Sequence, residues 1–148
     1  MAQEVFPNQD RIIALLNQIL ADEFVLYTKT LNAHWNCTGS NFFSVHKLLD
    51  EQYNELQAVI DELAERVRAN NGVAHGSVRG FADASRVPDA QGVVSTQDLL
   101  QDHESLIARL REDIRVAGDE CGDAATEDLL VSVLNKHLTM AWMLRSLK

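Results

Sequence analysis

Residues 40–70, SNFFSVHKLLDEQYNELQAVIDELAERVRAN, contain neither glycine nor proline and decide the fold expected for this chain. Ser40 can cap a helix at the start of this stretch. Its apolar residues step by threes and fours, as on one face of an amphipathic helix. They are Leu48, Leu49, Leu56, Ile60, Leu63 and Val67. The segment therefore predicts one long helix that ends near Asn70.

A second apolar stripe precedes this segment. It begins after Asp10 and continues to near Trp35, which predicts another long helix. The stripe consists of Ile13, Leu16, Leu20, Phe24, Tyr27 and Leu31. Residues 36–39 then form a turn, so the two helices can pair as a hairpin.

A long connection at residues 71–94 follows the second helix. Residues 78–85 within it can make one or two helical turns. Ser95 or Thr96 then caps a third helix, because a hydroxyl side chain can accept a hydrogen bond from an exposed N–H group at a helix start. The third helix carries the apolar residues Leu99, Leu106, Leu110 and Ile114.

A fourth helix completes the pattern. The breakers in residues 118–123 stop the third helix, and Asp123 can cap the next one. The fourth helix carries Leu130, Val133, Leu134, Ala141 and Leu144. The expected fold is all-α, a ferritin-like four-helix bundle with a short extra helix in the connection between helices two and three. Residues 1–148 are expected to form this one domain.

The charge balance favours cations as ligands. The 22 acidic side chains exceed the 13 basic ones, which leaves a formal charge of -9. Such a surface repels phosphate backbones. Cys37 and Cys121 form no disulfide or zinc-binding pattern, which fits a reducing cytoplasm. Residues 1–10 show no targeting signal, and no stretch is apolar enough to span a bilayer.

Two pairs of potential metal ligands lie on the second helix. His46 and Asp50 are four residues apart, as are Asp61 and Glu65, so the members of each pair can converge on one face. Imidazole with carboxylates suits iron, manganese or zinc. The eleven residues from Asp50 to Asp61 make about three turns and separate the pairs by roughly 16 Å. One chain cannot close a single site with both pairs.

Two copies of this helix, packed antiparallel about a two-fold axis, would solve the spacing problem. Asp61 and Glu65 of one chain would then face His46 and Asp50 of the other, twice over. His34 could join the side that carries His46 if the first two helices form a hairpin. Each of the two symmetric sites would then have five ligands.

The ordinary intra-bundle di-iron site is not predicted. Such sites use Glu-x-x-His motifs within one subunit. The residues three positions before the five histidines are Leu31, Phe43, Gly72, Leu100 and Leu134. The alternative for the second helix is an ordinary solvated acidic face, with His34 and His46 as hydrogen-bonded core residues. His103 and His137, near the stripes of the last two helices, are also expected to be hydrogen-bonded core residues.

These residues form a motif that resembles the Dps family, the DNA-binding proteins from starved cells. The matching positions are LNAHWN at residues 31–36, Gly39, Phe42, His46, Asp50-Glu51, Tyr53, Asp61-Glu62 and Ala64-Glu65-Arg66, then Gly76-Ser77, Phe81 and Trp142-Met143-Leu144-Arg145. The resemblance covers nearly the whole chain. It implies a hollow shell of twelve subunits built from antiparallel two-fold dimers, with ferroxidase sites at the two-fold interfaces.

The same resemblance implies the ligands and the chemistry. His34, His46 and Asp50 would bind iron from one subunit, and Asp61 and Glu65 from its partner. Each site would hold two irons, with zinc as a substitute, and two Fe(II) ions would reduce one hydrogen peroxide before Fe(III) is stored in the shell. Trp35 corresponds to an aromatic residue that can donate electrons, although simple interface packing explains it equally well.

The resemblance also suggests acidic pores for iron entry, with Asp119, Asp123 and Asp128 as candidates. Acidic residues at a helix start are favoured by the helix dipole without any such function. DNA binding is expected to be weak, because neither terminus carries a lysine-rich tail. Two alternatives to the ferroxidase shell stay open: a DNA-protecting nucleoid shell with secondary iron chemistry, and a helical interaction protein with structural zinc.

Overall fold

Helices make up most of residues 8–147, the part of the chain that the computed structural model describes. Within those residues there are five α-helices and one π-helical turn, and no strand. They are α1 Gln9–Asn36, α2 Phe42–Ala69, α3 Val78–Ala84, α4 Thr96–Arg115, the π-helical turn Val116–Glu120, and α5 Ala124–Arg145. The expected all-α bundle with a short helix in its connection is thereby confirmed.

The chain ends bear on two expectations. Most of the N-terminal stretch for which no targeting signal or basic tail was predicted lies outside the described residues. No helix among the described residues is long and apolar enough to cross a membrane.

The turn between α1 and α2 corrects the predicted helix start. Ser40 does not cap α2: the capping position is Asn41, whose side chain makes no capping hydrogen bond. Gly39 has φ +107°, a conformation that favours glycine, and its carbonyl accepts a hydrogen bond from the Phe42 N–H at 3.1 Å. This turn uses Ser40 and Asn41, so the helix begins later than the sequence suggested.

The other predicted caps are confirmed. Ser95 accepts a hydrogen bond from the Asp98 N–H, and the Asp98 carboxylate accepts one from the Ser95 N–H, which together form a capping box. Asp123 caps α5 by accepting from the Thr126 N–H at 3.0 Å and from its hydroxyl at 2.7 Å. Short polar side chains at these positions satisfy N–H groups that have no partner within the helix.

The junction after α4 differs from the expected stop. Gly118 does not end the helix but lies within the π-helical turn Val116–Glu120. The Glu127 carboxylate lies so close to Gly118 that a Cβ there would be 2.5 Å from it. The chain leaves helical geometry at Gly122, where φ is +68°. Gly118 therefore provides room for a neighbouring side chain rather than a break.

Two apolar clusters fill the bundle. Leu16 and Leu63 lie in the first, and Leu26, Leu56 and Leu106 lie in the second; all five are fully buried. The predicted stripe of α1 was only partly right. Its members Phe24 and Tyr27 are half-buried, whereas Ile12, Ile19 and Leu26, which were not in the stripe, are fully buried. Phe24 and Tyr27 pack against the edge of the core, so helix α1 has a second apolar face that is only partly covered.

A hydrogen-bonded polar chain connects three helices in the core. The Nδ1 atoms of His103 on α4 and His137 on α5 lie 2.9 Å apart, and His137 Nε2 lies 2.6 Å from the Glu23 carboxylate on α1. All three side chains are fully buried. The expectation that His103 and His137 are hydrogen-bonded core residues is confirmed.

Three ion pairs, made by two basic side chains, fix the long connection and α4 to α1. Arg86 bridges Asp22 on α1 and Asp113 on α4, at 2.7 and 2.8 Å. Lys29 pairs with Asp102 at 2.6 Å and donates a hydrogen bond to the Pro88 carbonyl at 2.9 Å. Burial raises the pKa of Asp22, although hydrogen bonds from Arg86 oppose that effect. The connection is thus held by charges that have partners on two helices.

Replacing Arg86 with methionine should destabilise the protein strongly. Asp22 and Asp113 would be left buried without their partner, and removing one member of a buried ion pair typically costs about 3–5 kcal/mol. The free energy of unfolding in urea, at fixed protein concentration, measures this loss. Arg115→Met is the matched control, because Arg115 pairs with exposed Glu112 and Glu120. Equal effects of both substitutions would contradict the role of Arg86.

Acid should destabilise the core through His103. Burial, and then the nearby His137, lower the pKa of His103 well below 6.5. The unfolded chain therefore binds a proton that the folded chain excludes, so stability is full above about pH 6.5 and falls as pH drops below it. His103 should raise the unfolding equilibrium constant by up to about tenfold per pH unit below that point.

Urea titrations between pH 7.5 and 5 test this linkage. His103→Gln should show a shallower pH dependence than the wild type, since glutamine cannot take up the proton. His75→Gln, which alters an exposed histidine, should follow the wild type. If His103→Gln keeps the wild-type slope, another group is responsible.

Candidate metal centre

His34 and His46 hold each other at the seam between α1 and α2. His34 Nδ1 donates to the His46 carbonyl at 2.7 Å, and His46 Nδ1 donates to the His34 carbonyl at 2.7 Å. Their rings stack with centroids 3.8 Å apart and planes 14° apart. His34 lies in the last turn of α1 and His46 in the second turn of α2, so the pair also joins the ends of the hairpin.

This exchange fixes the form of both rings. A carbonyl oxygen can only accept, so each Nδ1 must carry its hydrogen. In the neutral ring Nε2 is then unprotonated and has a free lone pair. Metal-binding histidines commonly use one nitrogen for the metal and bond the other to a carbonyl or carboxylate. His34 and His46 are thus prepared to offer two Nε2 ligands.

Asp50 and Tyr53 extend this cluster along α2. Asp50 follows His46 by one helical turn and is half-buried. The pKa of Tyr53 is raised, first because its hydroxyl hydrogen-bonds to the Asp50 carboxylate. The Tyr53 ring lies 5.2 Å from that of His34, and the Phe42 ring stacks on His46 at 5.0 Å. Aromatic rings therefore surround the histidine pair on two sides.

Asp61 and Glu65 lie apart from this cluster, further along α2. Both are exposed. Asp61 lines an open groove between α1 and α2, together with Phe24, Tyr27, Asn54, Gln57, Ala58, Ile60 and Ala64. About three helical turns, or roughly 16 Å, separate Asp61 from Asp50. The structure thus brings His34 and His46 together, with Asp50 beside them, and leaves the second acidic pair facing outward.

A single chain does not close a metal site. In residues 8–147, no three or more His, Cys, Asp or Glu side chains are arranged to hold a metal ion. The available ligands instead form two incomplete groups on one hairpin. An incomplete histidine group and an exposed acidic group are the halves that a shared site requires, and a second copy would have to supply the missing half.

Trp35 and Cys37 lie close to the histidine pair in sequence. Trp35 is 67% exposed, so its ring has no place in the core of the chain. Cys37 is a half-buried free thiol whose sulfur lies 3.5 Å from the His34 carbonyl, while the free thiol of Cys121 is buried in the core.

The acidic residues between α4 and α5 fall into two groups, one hydrogen-bonded within the chain and the other open to solvent. Both carboxylate oxygens of Asp123 accept hydrogen bonds within its own cap. Hydrogen bonds from Arg11 and then Arg115 lower the pKa of Glu120. Asp119 and Asp128 are exposed. Of the three predicted pore residues, Asp123 therefore already has a structural role, and the other two are open to solvent.

Sequence reasoning missed several of these features. It assigned no role to Tyr53 beyond its place in the motif, and it did not connect Glu23 with His137. The contact between Tyr53 and Asp50 could have been predicted from their spacing, because residues three apart on a helix are neighbours. No sequence signal indicates that His34 and His46 exchange hydrogen bonds with each other's backbone.

Comparison with known proteins gives a consistent picture. The sequence model of the Ferritin-like domain family matches residues 13–147. An uncharacterized low temperature-induced protein of Nostoc is 44% identical over 142 residues, which cover 91% of this chain and 78% of that protein. The DNA protection during starvation protein of Brevibacillus brevis is 33% identical over 144 residues, covering 93% of this chain and 95% of that one.

Solved structures match over most of their length as well. A Dps protein from Staphylococcus aureus superposes with a TM-score of 0.88 at 35% identity, covering 95% of this chain and 96% of that one. A Vibrio cholerae protein, described as a member of the ferritin-like diiron-carboxylate proteins, superposes with a TM-score of 0.86 at 30% identity. That match covers 93% of this chain and 89% of the other.

Proposed function

This chain belongs to the Dps family of ferritin-like proteins, and from that membership we propose that it oxidises Fe(II) with hydrogen peroxide at sites shared between two copies. The observation that carries the proposal is the His34–His46 exchange, which leaves two Nε2 lone pairs free beside Asp50. Iron storage and ferroxidase chemistry are general to this family of diiron proteins. The oxidant and the ligand set are our proposals for this chain.

Each site would combine ligands from two copies. One copy provides His34, His46 and Asp50, and the other provides Asp61 and Glu65. The exposed position of the acidic pair and the open groove beside it support this arrangement. An antiparallel dimer seated in that groove would also cover Phe24 and Tyr27, the apolar residues on the outer face of α1.

The reaction needs two electrons at one place. Reducing one peroxide to two waters takes two electrons and two protons, and each Fe(II) supplies one electron: 2 Fe(II) + H2O2 + 2 H+ gives 2 Fe(III) + 2 H2O. Two irons held together avoid the one-electron reduction that releases hydroxyl radical. Carboxylates such as Asp61 and Glu65 suit both oxidation states because they are hard oxygen ligands. Zinc could occupy the same ligands without being oxidised.

The assembly and its compartment form a second part of the proposal. Homo-oligomers are supported by the solved Dps relatives, and we propose a dodecamer built from the two-fold dimers, with Fe(III) stored inside. Asp119 and Asp128 are the best candidates for the path of iron entry, since both are exposed. Two free thiols suit a reducing cytoplasm.

DNA protection is the second candidate function, because the Brevibacillus relative is named for it. The charge of -9 per chain opposes this function, since an assembly would multiply the repulsion of phosphate. A helical interaction protein with structural zinc is a third candidate, in which the same ligands would bind a zinc ion that takes no part in catalysis.

Mixing two inactive variants tests the shared site. Asp61→Ala and His46→Ala should each lose peroxide-dependent Fe(II) oxidation, because each removes one ligand from both sites of a dimer. Subunits mixed and reassembled from the two variants should regain activity, since a mixed dimer contains one complete site. Anaerobic Fe(II) loading followed by peroxide, with native mass recorded, measures both the activity and the assembly.

The matched control is Glu62→Ala, which removes the exposed carboxylate next to Asp61. It should oxidise about two Fe(II) per peroxide, as the wild type does. Failure of the mixed dimers to regain activity would place each site within one subunit. Stoichiometric zinc without any consumption of peroxide would favour the structural-zinc alternative.

DNA binding should be weak. Gel shifts with duplex DNA should show no retention at moderate salt and none as the salt concentration falls, because weaker screening strengthens the repulsion between the acidic protein and the phosphates. A tight complex at moderate salt would reverse the order of the two leading candidates.

A further inference from the structure

The chain has two tyrosines, and both lie in one line of aromatic rings that starts at the histidine pair. The Tyr53 ring is 5.2 Å from that of His34, and the Tyr27 ring is 6.3 Å from that of Tyr53. Aromatic centroids 4.5–7 Å apart are in contact. The line therefore runs from His34 on α1 to Tyr53 on α2 and back to Tyr27 on α1 through adjacent rings.

The other end of this line lies at the second ligand group. Tyr27 lines the same groove as Asp61. In the proposed dimer His34 belongs to one iron site, while Asp61 of the same chain belongs to the other. Tyr53 thus lies beside one site and Tyr27 faces the groove that leads to the second. The dimer's symmetry would provide the same path in the opposite direction.

We propose that Tyr53 and Tyr27 carry an electron between the two iron sites of a dimer. The inference rests on the proposed function, because it needs both shared sites. It concerns the case in which each site holds a single Fe(II). One iron supplies one electron to peroxide, and the second electron must come from elsewhere if hydroxyl radical is to be avoided.

The electrons and protons balance over the dimer. At the first site, peroxide takes one electron from Fe(II) and one from Tyr53, which becomes a neutral radical as its hydroxyl proton leaves. Tyr27 then reduces the Tyr53 radical, and the Fe(II) at the other site reduces the Tyr27 radical. Each tyrosine takes up a proton again as it receives its electron. The net change is 2 Fe(II) + H2O2 + 2 H+ to 2 Fe(III) + 2 H2O.

Tyr53 is suited to the first step. Its ring lies 5.2 Å from that of His34, a proposed iron ligand, and its hydroxyl proton can pass to the peroxide oxygen as the electron leaves. Phenylalanine has no such proton to lose, so Phe24 and Phe42, although near the line, cannot replace the tyrosines. Trp35 is the competing donor, and the experiment includes it.

Half-loaded protein tests the relay. Fe(II) is titrated anaerobically from zero to two per site, one peroxide is added per two Fe(II), and samples are freeze-quenched. Tyrosyl radical is measured by electron paramagnetic resonance and hydroxyl radical by spin trapping, each expressed per iron oxidised. This normalisation removes any change in the overall rate. Wild type, Tyr53→Phe, Tyr27→Phe and Trp35→Phe are compared.

The relay predicts a different result for each variant at one Fe(II) per site. Tyr53→Phe should form several times more hydroxyl radical than the wild type and should lose the transient tyrosyl signal. Tyr27→Phe should accumulate a longer-lived tyrosyl signal, because the Tyr53 radical can no longer be refilled. Trp35→Phe should match the wild type.

The outcomes distinguish failure of the tyrosine relay from failure of the proposed ferroxidase function. If half-loaded Tyr53→Phe forms no more hydroxyl radical than the wild type, or if Trp35→Phe shows the increase instead, the relay is wrong while the ferroxidase proposal stands. If the fully loaded wild type does not consume about one peroxide per two Fe(II), the ferroxidase proposal fails and the relay fails with it.

Discussion

The exchange of hydrogen bonds between His34 and His46 is the constraint on which the candidate site depends. Each ring donates to the other residue's carbonyl at 2.7 Å, so the same two bonds join α1 to α2 and set the proton position in both rings. Loss of either ring would remove a ligand and leave the other without its stacking partner. The hydrogen bonds that join the two helices are therefore the same ones that leave both Nε2 atoms available in the proposed metal site.

The hairpin has two apolar faces, and this explains why the predicted stripe of α1 was incomplete. Phe24 and Tyr27 have the spacing of core residues, yet they line an outer groove with Asp61, while Ile12 and Ile19 fill the core. A periodic pattern cannot distinguish a face that meets the core from a face that meets another copy. For the same reason the α1 stripe was only partly correct, and the groove between α1 and α2 could not be predicted from the sequence.

Local chemistry determined which parts were predictable. Ser95 and Asp123 were recognised as caps because a short polar side chain followed by a helical pattern meets the same local need in any protein. The candidate ligands were likewise found by helical spacing and the family motif. The π-helical turn was not, because Gly118 packs against the carboxylate of Glu127, a contact between separate elements that the local sequence does not show. The Glu23–His137 bond joins residues 114 apart and has no local signal.

The contacts at the centre of the bundle favour placing the proposed metal site at the seam. Larger ferritin-like oxidases place their metals among the four helices with Glu-x-x-His motifs. Here Glu23, His103 and His137 occupy the core, and both nitrogens of His137 are already hydrogen-bonded. Burial also keeps His103 neutral, because its pKa is lowered. These metal-capable groups connect three helices within the fully buried core, where His103 Nε2 and Glu23 Oε2 have no hydrogen-bond partner. His34 and His46 lie instead at the edge of the hairpin. The inner imidazoles thus join the helices, and the outer pair at the edge of the hairpin is the one that we propose as metal ligands.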